Sequence, residues 1–314
     1  MLRIRPFKKG VDEETYVLIF NAAFGDYDDI RAMTLEEMRK MEESPSFSAE
    51  GVFLAEWNDQ PAGMVDAYVD KLRKDEKGFI QSLGVLPQYR GKGIARELVE
   101  TALESHRDRG MKIVDAWAQP DRAACVHIFE SFGFKPVRVT RMMKRSLDRL
   151  PFDVKKRTES DIREMQLQND EEIVLLNKLD NESFKEHFNY RPRTIDETRY
   201  SLFEMPWFQQ QHVFFADMEN VTVSYVIIGI DEGLNAEKCV KYGWILDIGV
   251  LKPFRRRGIG TELMLHGMSA LKALGMEHAL LYVDEMNVTK AMLLYEKLEF
   301  ETVRKNLIYR LQIA

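Results

Sequence analysis

Leu83-Gly84-Val85-Leu86-Pro87-Gln88-Tyr89-Arg90-Gly91-Lys92-Gly93-Ile94-Ala95 returns later in the chain as Ile248-Gly249-Val250-Leu251-Lys252-Pro253-Phe254-Arg255-Arg256-Arg257-Gly258-Ile259-Gly260. The offset is 165 at both ends, from Leu83 to Ile248 and from Ala95 to Gly260. A second echo follows, in which His127-Ile128-Phe129-Glu130-Ser131-Phe132-Gly133-Phe134 answers Leu293-Leu294-Tyr295-Glu296-Lys297-Leu298-Glu299-Phe300 at an offset of 166. One extra residue in a loop accounts for the change. A repeat of this length is domain-sized, not a solenoid period, so the chain reads as two tandem copies of one domain. Asp153-Val154-Lys155-Lys156-Arg157 resembles the opening Leu2-Arg3-Ile4-Arg5-Pro6. The expected division is therefore 1–148 and 152–314, with Ser146-Leu147-Asp148-Arg149-Leu150-Pro151 as the linker.

Around these echoes the hydrophobic periodicity predicts an α+β domain in each copy. The first copy is expected to hold helices over Asp12 to Ala23, Leu35 to Met41, Ile94 to Arg107 and Ala123 to Phe132. Its strands are expected over Gly51 to Glu56, Gly63 to Val69, Phe79 to Val85, Met111 to Trp117 and Val137 to Met143. In the second copy the strands fall near Val213 to Ala216, Val221 to Ile230, Gly243 to Val250, Ala279 to Val283 and Glu301 to Tyr309.

Of 314 residues, 45% are hydrophobic and 31% charged, a composition that builds a core and excludes disorder for most of the chain. Lys plus Arg total 45 against 51 Asp plus Glu, so no general nucleic-acid footprint exists. No run of about 18 apolar residues and no leader pattern occurs, which predicts neither secretion nor a membrane span. Cys125 and Cys239 lack metal-ligand spacing and read as small core fillers of a cytoplasmic protein, and the six histidines show no paired spacing for a metal.

In both copies a strand ending at Val85 or Val250 runs into a basic, glycine-bearing loop that opens a long helix. Free amides and the helix dipole at such a start favour an anion. Gly91, Gly93, Gly258 and Gly260 allow close backbone approach, and Arg90, Lys92, Arg255, Arg256 and Arg257 supply counter-charge. A Walker loop needs Gly-Lys followed by Ser or Thr, but Gly93 follows Gly91-Lys92 and no Lys lies in Arg257-Gly258-Ile259-Gly260. A dinucleotide loop needs a third glycine where Arg96 and Leu263 stand.

Arg90-Gly91-Lys92-Gly93-Ile94-Ala95 and Arg255-Arg256-Arg257-Gly258-Ile259-Gly260 resemble the acetyl-CoA loop of GNAT N-acetyltransferases, Arg/Gln-x-x-Gly-x-Gly/Ala. The stretch from Leu281 through Asn287 and Ala291 to Leu294-Tyr295-Glu296-Lys297-Leu298-Glu299-Phe300 resembles the family's later signature, with Glu299 where Gly is usual. The doubling is similar in architecture to mycothiol synthase, a likeness that says nothing of substrate. The resemblance implies a mixed, mostly antiparallel twisted sheet flanked by helices on both faces in each copy. It further implies an acetyl-CoA or related acyl-CoA cofactor, direct transfer to the amine of a small-molecule or peptide acceptor, and the backbones of Val85, Ile248 and Val250 as pantetheine ligands. The loop residues Ile94, Ala95 and Ile259 join the cofactor set with Asn287.

Tyr295 is the candidate general acid for the leaving thiolate, although it equally fits the packed face of a helix beside Leu294 and Leu298. The first copy has Phe129 at this place, and Asp121 or its neighbours Gln119 and Pro120 in place of Asn287. Asp247, the only carboxylate of its strand, is the candidate general base, with an ordinary ion-paired strand Asp as the alternative and Asp284 as a weaker candidate. Strand parity sets Asp247 opposite to Leu246 and Ile248. The aromatics between Phe184 and Phe215 fall where the family builds its acceptor site, or else pack a core. These observations assign chemistry to the second copy and a partly degenerate role to the first; a non-catalytic acyl-CoA sensor and a pair of active domains are the rival readings.

Overall fold

A computed structural model describes residues 1–150 and 160–313; the stretch Asp153 to Arg157 compared above lies outside them. The first repeat runs β1 (Leu2–Pro6), α1 (Glu13–Phe24), α2 (Leu35–Met41), β2 (Val52–Trp57), β3 (Gln60–Val69), β4 (Lys77–Val85), α3 (Ile94–Asp108), β5 (Ile113–Ala118), α4 (Ala123–Ser131) and β6 (Lys135–Ser146). The second runs β7 (Asp161–Glu164), α5 (Asp170–Phe184), α6 (Ile195–Phe203), β8 (Gln210–Met218), β9 (Val221–Ile230), α7 (Glu232–Lys238), β10 (Tyr242–Val250), α8 (Ile259–Ala273), β11 (His278–Asp284), α9 (Ala291–Lys297) and β12 (Glu301–Gln312). Each expected element is present, and β6 and β12 extend beyond the expected ends.

The chain folds into two compact units, Met1–Val139 with Lys305–Ala314, and Thr140–Arg304. This division differs from 1–148 and 152–314. The sheet of the first unit is ordered β1-β2-β3-β4-β5-β12, and that of the second β6-β11-β10-β9-β8-β7. The strand beside β5 is β12, antiparallel from Leu307↔Ala118 to Gln312↔Ile113, and the strand beside β11 is β6, from His278↔Ser146 to Asp284↔Thr140. Each unit thus takes its sixth strand from the other repeat. Of the expected linker, Leu147 and Leu150 belong to a core, 1% and 8% exposed and packed with Met143 and Leu298, and Pro151 lies outside the described residues.

Alternation along β8 and β9 shows how two helical layers are served by one sheet. Phe214, Ala216, Val226 and Ile228 join Leu263, Met268 and Leu271 of α8, whereas Val213, Phe215, Tyr225 and Ile227 join Ile173, Leu176 and Leu179 of α5. In the first unit Ile94, Leu98 and Ala102 of α3 are fully buried against Val65, Ala67, Ile80 and Val114, the stripe that their spacing predicts. Cys125 is half-buried, but Cys239 is exposed at the end of α7 with φ of 53°, so the core-filler expectation fails there. Its left-handed backbone ends the helix and turns the side chain to solvent.

Both copies hold the loop after their first helix in the same way. Asn21 Nδ2 donates to Met33 O at 2.9 Å and its Oδ1 accepts from Met33 N at 2.7 Å. Asn181 repeats this with Arg193 O at 3.0 Å and Arg193 N at 2.7 Å. Thr34 with Glu37 and Thr194 with Glu197 form capping boxes, and Arg31 and Arg191 pair with those same glutamates. The offset is 160, from Asn21 to Asn181. Replacing Asn21 by Ala removes two hydrogen bonds of about 0.5–1.5 kcal/mol each, so N21A is expected to lose about 1–3 kcal/mol in urea unfolding followed by tryptophan fluorescence. An unchanged midpoint would remove the bracket from the account of the fold.

Candidate active site

The second unit contains a cavity of about 810 Å³ lined by β10, the β10–α8 loop, β11 and α9. It exists because β10 and β11 part company. Their parallel pairing runs only from Tyr242↔His278 to Trp244↔Leu280, while β11 remains paired with β6 as far as Asp284. The β9–β10 ladder is irregular between Ile245 and Asp247, which leaves Leu246 as an extra residue. Strand parity therefore fails. Ile248 packs toward the α8 core, but Leu246 packs with Trp244 and the α5 core, so the expectation that Asp247 opposes both is corrected by the bulge.

The glycine loop forms one wall. Gly258 has φ of 91° and precedes α8 without any side-chain cap on the helix amides, and Gly93 before α3 has φ of 82°. The loop position two residues earlier is also left-handed in both copies, Gly91 at φ 76° and Arg256 at φ 64°. These features suit an anion on the first amides of α8. The side chains divide the work differently from the sequence expectation. Arg255 spends its guanidinium on Val250 O at 2.9 Å and Ser183 O at 2.9 Å, with Glu186 at 3.6 Å. Arg90 likewise reaches Val85 O at 3.2 Å. Both fasten the loop to the strand end. Arg257 lies over the Phe254 ring and Lys92 over the Trp57 ring, whereas Arg256 is exposed and lines the cavity. Ile94 and Ile259 are buried in the cores, so only their backbones face a ligand. Ala95 follows in the first turn of α3.

Asn287 lines the cavity, and its Oδ1 accepts from Thr289 N at 2.8 Å and Thr289 Oγ1 at 2.7 Å, which shapes the turn before α9. Tyr295 lines the cavity from α9 while 6% exposed. Burial, and then the nearby Asp247 charge, raise its pKa above the usual phenol range. Asp247 lines the same cavity, and burial followed by the Asp180 carboxylate pushes its pKa up to about 8. Asp284 also lines the cavity, with Oδ1 accepting from Met286 N at 2.9 Å.

Three contributors lay outside the sequence reading. Ser183 and His187, at and just beyond the end of α5, line the cavity with Ser183 Oγ and His187 Nε2 buried and lacking partners among the described residues. Asp180 sits one turn earlier and accepts from Tyr225 OH at 2.6 Å. Burial and then Arg255 hold His187 below the ordinary imidazole pKa. Of the expected acceptor-site aromatics, Phe184 lines the cavity, and Phe214, Phe215 and Tyr200 are core.

A forked sheet with a glycine loop, built twice, and a cleft in the fork of the second unit define a doubled acyltransferase fold. The model described as acetyltransferase (GNAT) family matches residues 18–134 and 176–300, and the chain belongs to that family. Among curated relatives, the mycothiol acetyltransferase of Thermobispora bispora is 30% identical over 150 residues, covering 46% of this chain and 50% of that protein. The mycothiol acetyltransferase of Frankia casuarinae is 28% identical over 267 residues, covering 79% and 72%. The matches to the first of these relatives span about half of their length or less. The tandem GNAT protein from the clavulanic acid biosynthesis pathway shares the fold with a TM-score of 0.78 at 14% identity, over 100% of this chain and 99% of that one.

The Arg255 clasp can be tested by itself. Arg255→Ala frees two carbonyls from a charged donor, each bond being worth about 1.5–3 kcal/mol. Amide exchange in Leu251 to Gly260 is expected to accelerate about tenfold or more, with the α5 core unaffected. Unchanged protection would show that the loop is held without the clasp.

Proposed function

We propose that the second unit transfers an acetyl or related acyl group from acyl-CoA to the amine of a small-molecule or peptide acceptor. The observation that carries this reading is the convergence of Arg256, Gly258, Gly260, Asn287, Asp247 and Tyr295 on one cavity in the fork of β10 and β11. Acyl-CoA enters as a substrate and brings the activated thioester. Its pyrophosphate suits the uncapped start of α8 beside Arg256 and, more peripherally, Arg257. The backbones of Ile248 and Val250 lie along the strand edge that β11 leaves unpaired, where an extended pantetheine can add hydrogen bonds as a strand would. Asp247, with its raised pKa, is the base for the amine, and Tyr295 is the acid for the sulfur. The mycothiol acetyltransferase relatives favour a small-molecule acceptor over a peptide.

The first unit keeps the loop from Val85 through Arg90 to Ala95 but has Phe129, fully buried beside Phe134 and Tyr309, in place of Tyr295. It is read as a partly degenerate copy. Among the described residues no helix is long and apolar enough to cross a membrane.

Two measurements test the reading. Tyr295→Phe deletes one hydroxyl, and release of CoA thiol from acetyl-CoA with a panel of amines is expected to slow about 100- to 10,000-fold while CoA affinity changes little. Full activity would sink the acid assignment. Gly258→Asp places a side chain at φ 91° and a negative charge at the helix start, and calorimetric titration should show CoA binding weakened about 100-fold or more. Unchanged affinity in a folded variant would remove this loop from the mechanism. The pH sign follows from Asp247: its carboxyl is protonated below about pH 8 and cannot accept a proton. kcat/KM is expected to rise with pH and level off near pH 8, and a flat profile from pH 6 to 8 would exclude Asp247 as the base.

A further inference from the structure

Tyr282 of β11 is 45% exposed and lines the cavity, yet both ends of its side chain are held. Its ring stacks on Trp244 of β10, with centroids 5.7 Å apart and planes at 21°, and its hydroxyl accepts from Arg304 Nη2 at 2.6 Å. Trp244 is itself fixed, being 6% exposed and packed with Leu234, Leu280 and Met142, with Phe208 edge-on at 6.2 Å. Parallel pairing of the two strands ends at Trp244↔Leu280, so Tyr282 is the first side chain of that face beyond the fork. Its neighbours Leu281 and Val283 belong to the opposite face, where they join Tyr295 in the α8 core.

The first unit repeats this pair at an offset of 165, from Phe79 to Trp244 and from Trp117 to Tyr282. Trp117 of β5 stacks on Phe79 of β4, with centroids 5.6 Å apart and planes at 23°, and Trp117 is 38% exposed. It likewise stands just beyond the last parallel pair, Ile80↔Ala116. The residue types change between the copies, but an aromatic on an aromatic is kept, and in each copy the outer ring is the exposed one. A pair that only filled a core would bury both rings. In the first unit Arg73 lies over the inner ring, Phe79, at 5.6 Å, whereas in the second the bond from Arg304 fixes the outer ring itself.

A flat ring whose plane is already set can stack a second ring at little cost in lost motion. The groups assigned to acyl-CoA approach from the other face, since the glycine loop opens α8 and Tyr295 comes from α9. The Tyr282 face is left for the acceptor. We propose that Tyr282 is a specificity-determining residue, the floor on which the acceptor lays one face of a ring, so that the acceptor is an amine whose carbon skeleton carries a ring, aromatic or saturated. The inference rests on the reading of this cavity as the acyl-transfer site. An open-chain amine of equal carbon count gains apolar contact there, and a ring gains the stack as well.

The test reads binding and not turnover. The full chain saturated with CoA is titrated calorimetrically with 2-phenylethylamine, 2-cyclohexylethylamine and n-octylamine, amines of equal carbon count. The ring amines are expected to bind about three- to tenfold tighter than octylamine, and a gain for 2-phenylethylamine alone narrows the ring to an aromatic one. Tyr282→Leu keeps apolar area but removes the flat face, and should bring the ratio to about one. Tyr282→Phe keeps the ring and should preserve most of the preference. In protein carrying carbon-13-labelled tyrosine, the NMR signal of Tyr282, assigned by its loss in Tyr282→Phe, should shift on addition of 2-phenylethylamine. Octylamine binding as tightly as the ring amines, a ring preference undiminished in folded Tyr282→Leu, or a Tyr282 signal unmoved by 2-phenylethylamine overturns the proposal. If Tyr282→Leu does not fold, the wild-type ranking and the Tyr282 signal decide. A chain that binds the ring amines in this way but releases no thiol from acetyl-CoA would count against acyl transfer and leave the ring preference standing.

Discussion

The divergence of β10 from β11 is the constraint on which the second unit depends. Two parallel strands that stayed paired would close the space between Asp247, Tyr295 and the glycine loop and would use the edge groups of β10 that an extended ligand requires. The strands separate after Trp244 and Leu280, and the irregularity follows two residues later at Leu246. β11 stays in place because β6 covers its other edge through Asp284↔Thr140. β10 stays in place because β9 covers its other edge and because Arg255 ties Val250 O to the end of α5. The first unit forks similarly, with parallel pairing ending at Ile80↔Ala116 and an irregularity between Met64 and Asp66. The opening is thus a property of the fold, and the chemistry is a property of the residues placed in it.

Those residues fall into two sets. The loop glycines, with left-handed backbone at Gly91, Gly93 and Gly258, and the arginine that clasps the strand end occur in both units. Asp247, Asp180, Tyr225 and Tyr295 occur only in the second. The shared set shapes the backbone at the start of the helix, while Asp247 and Tyr295 of the unshared set line the cavity.

What could be read from the sequence was what lies contiguous along it. The loop and the Tyr295 segment recur at offsets of 165 and 166, so two linear echoes pointed to the doubled fold, the start of α8 and a tyrosine that lines the cavity. The first-helix bracket recurs at 160, across stretches that share little besides Asn, Arg, Thr and Glu, and the two Thr-x-x-Glu capping boxes were the signal that could have revealed it. Asp180, Ser183 and His187 sit on α5 and just beyond it, far in sequence from β10, and nothing in the periodicity of a helix says which turn will face a cleft. The bulge at Leu246 defeated strand parity because one inserted residue reverses every face assignment beyond it. Arg255 was legible as a charge but not as a clasp, since its partners are carbonyls and those carry no signature.

The exchange of last strands ties the fate of the two repeats together. β5 is covered by β12 and β11 by β6, so a chain cut to either repeat would present a long open edge where its sixth strand belongs. The repeat that carries Phe129 in place of Tyr295 therefore cannot be removed by simple deletion, because the remaining repeat would lose part of its own sheet with it. With the strands traded, each repeat is held to its shape by the other, whatever chemistry it carries.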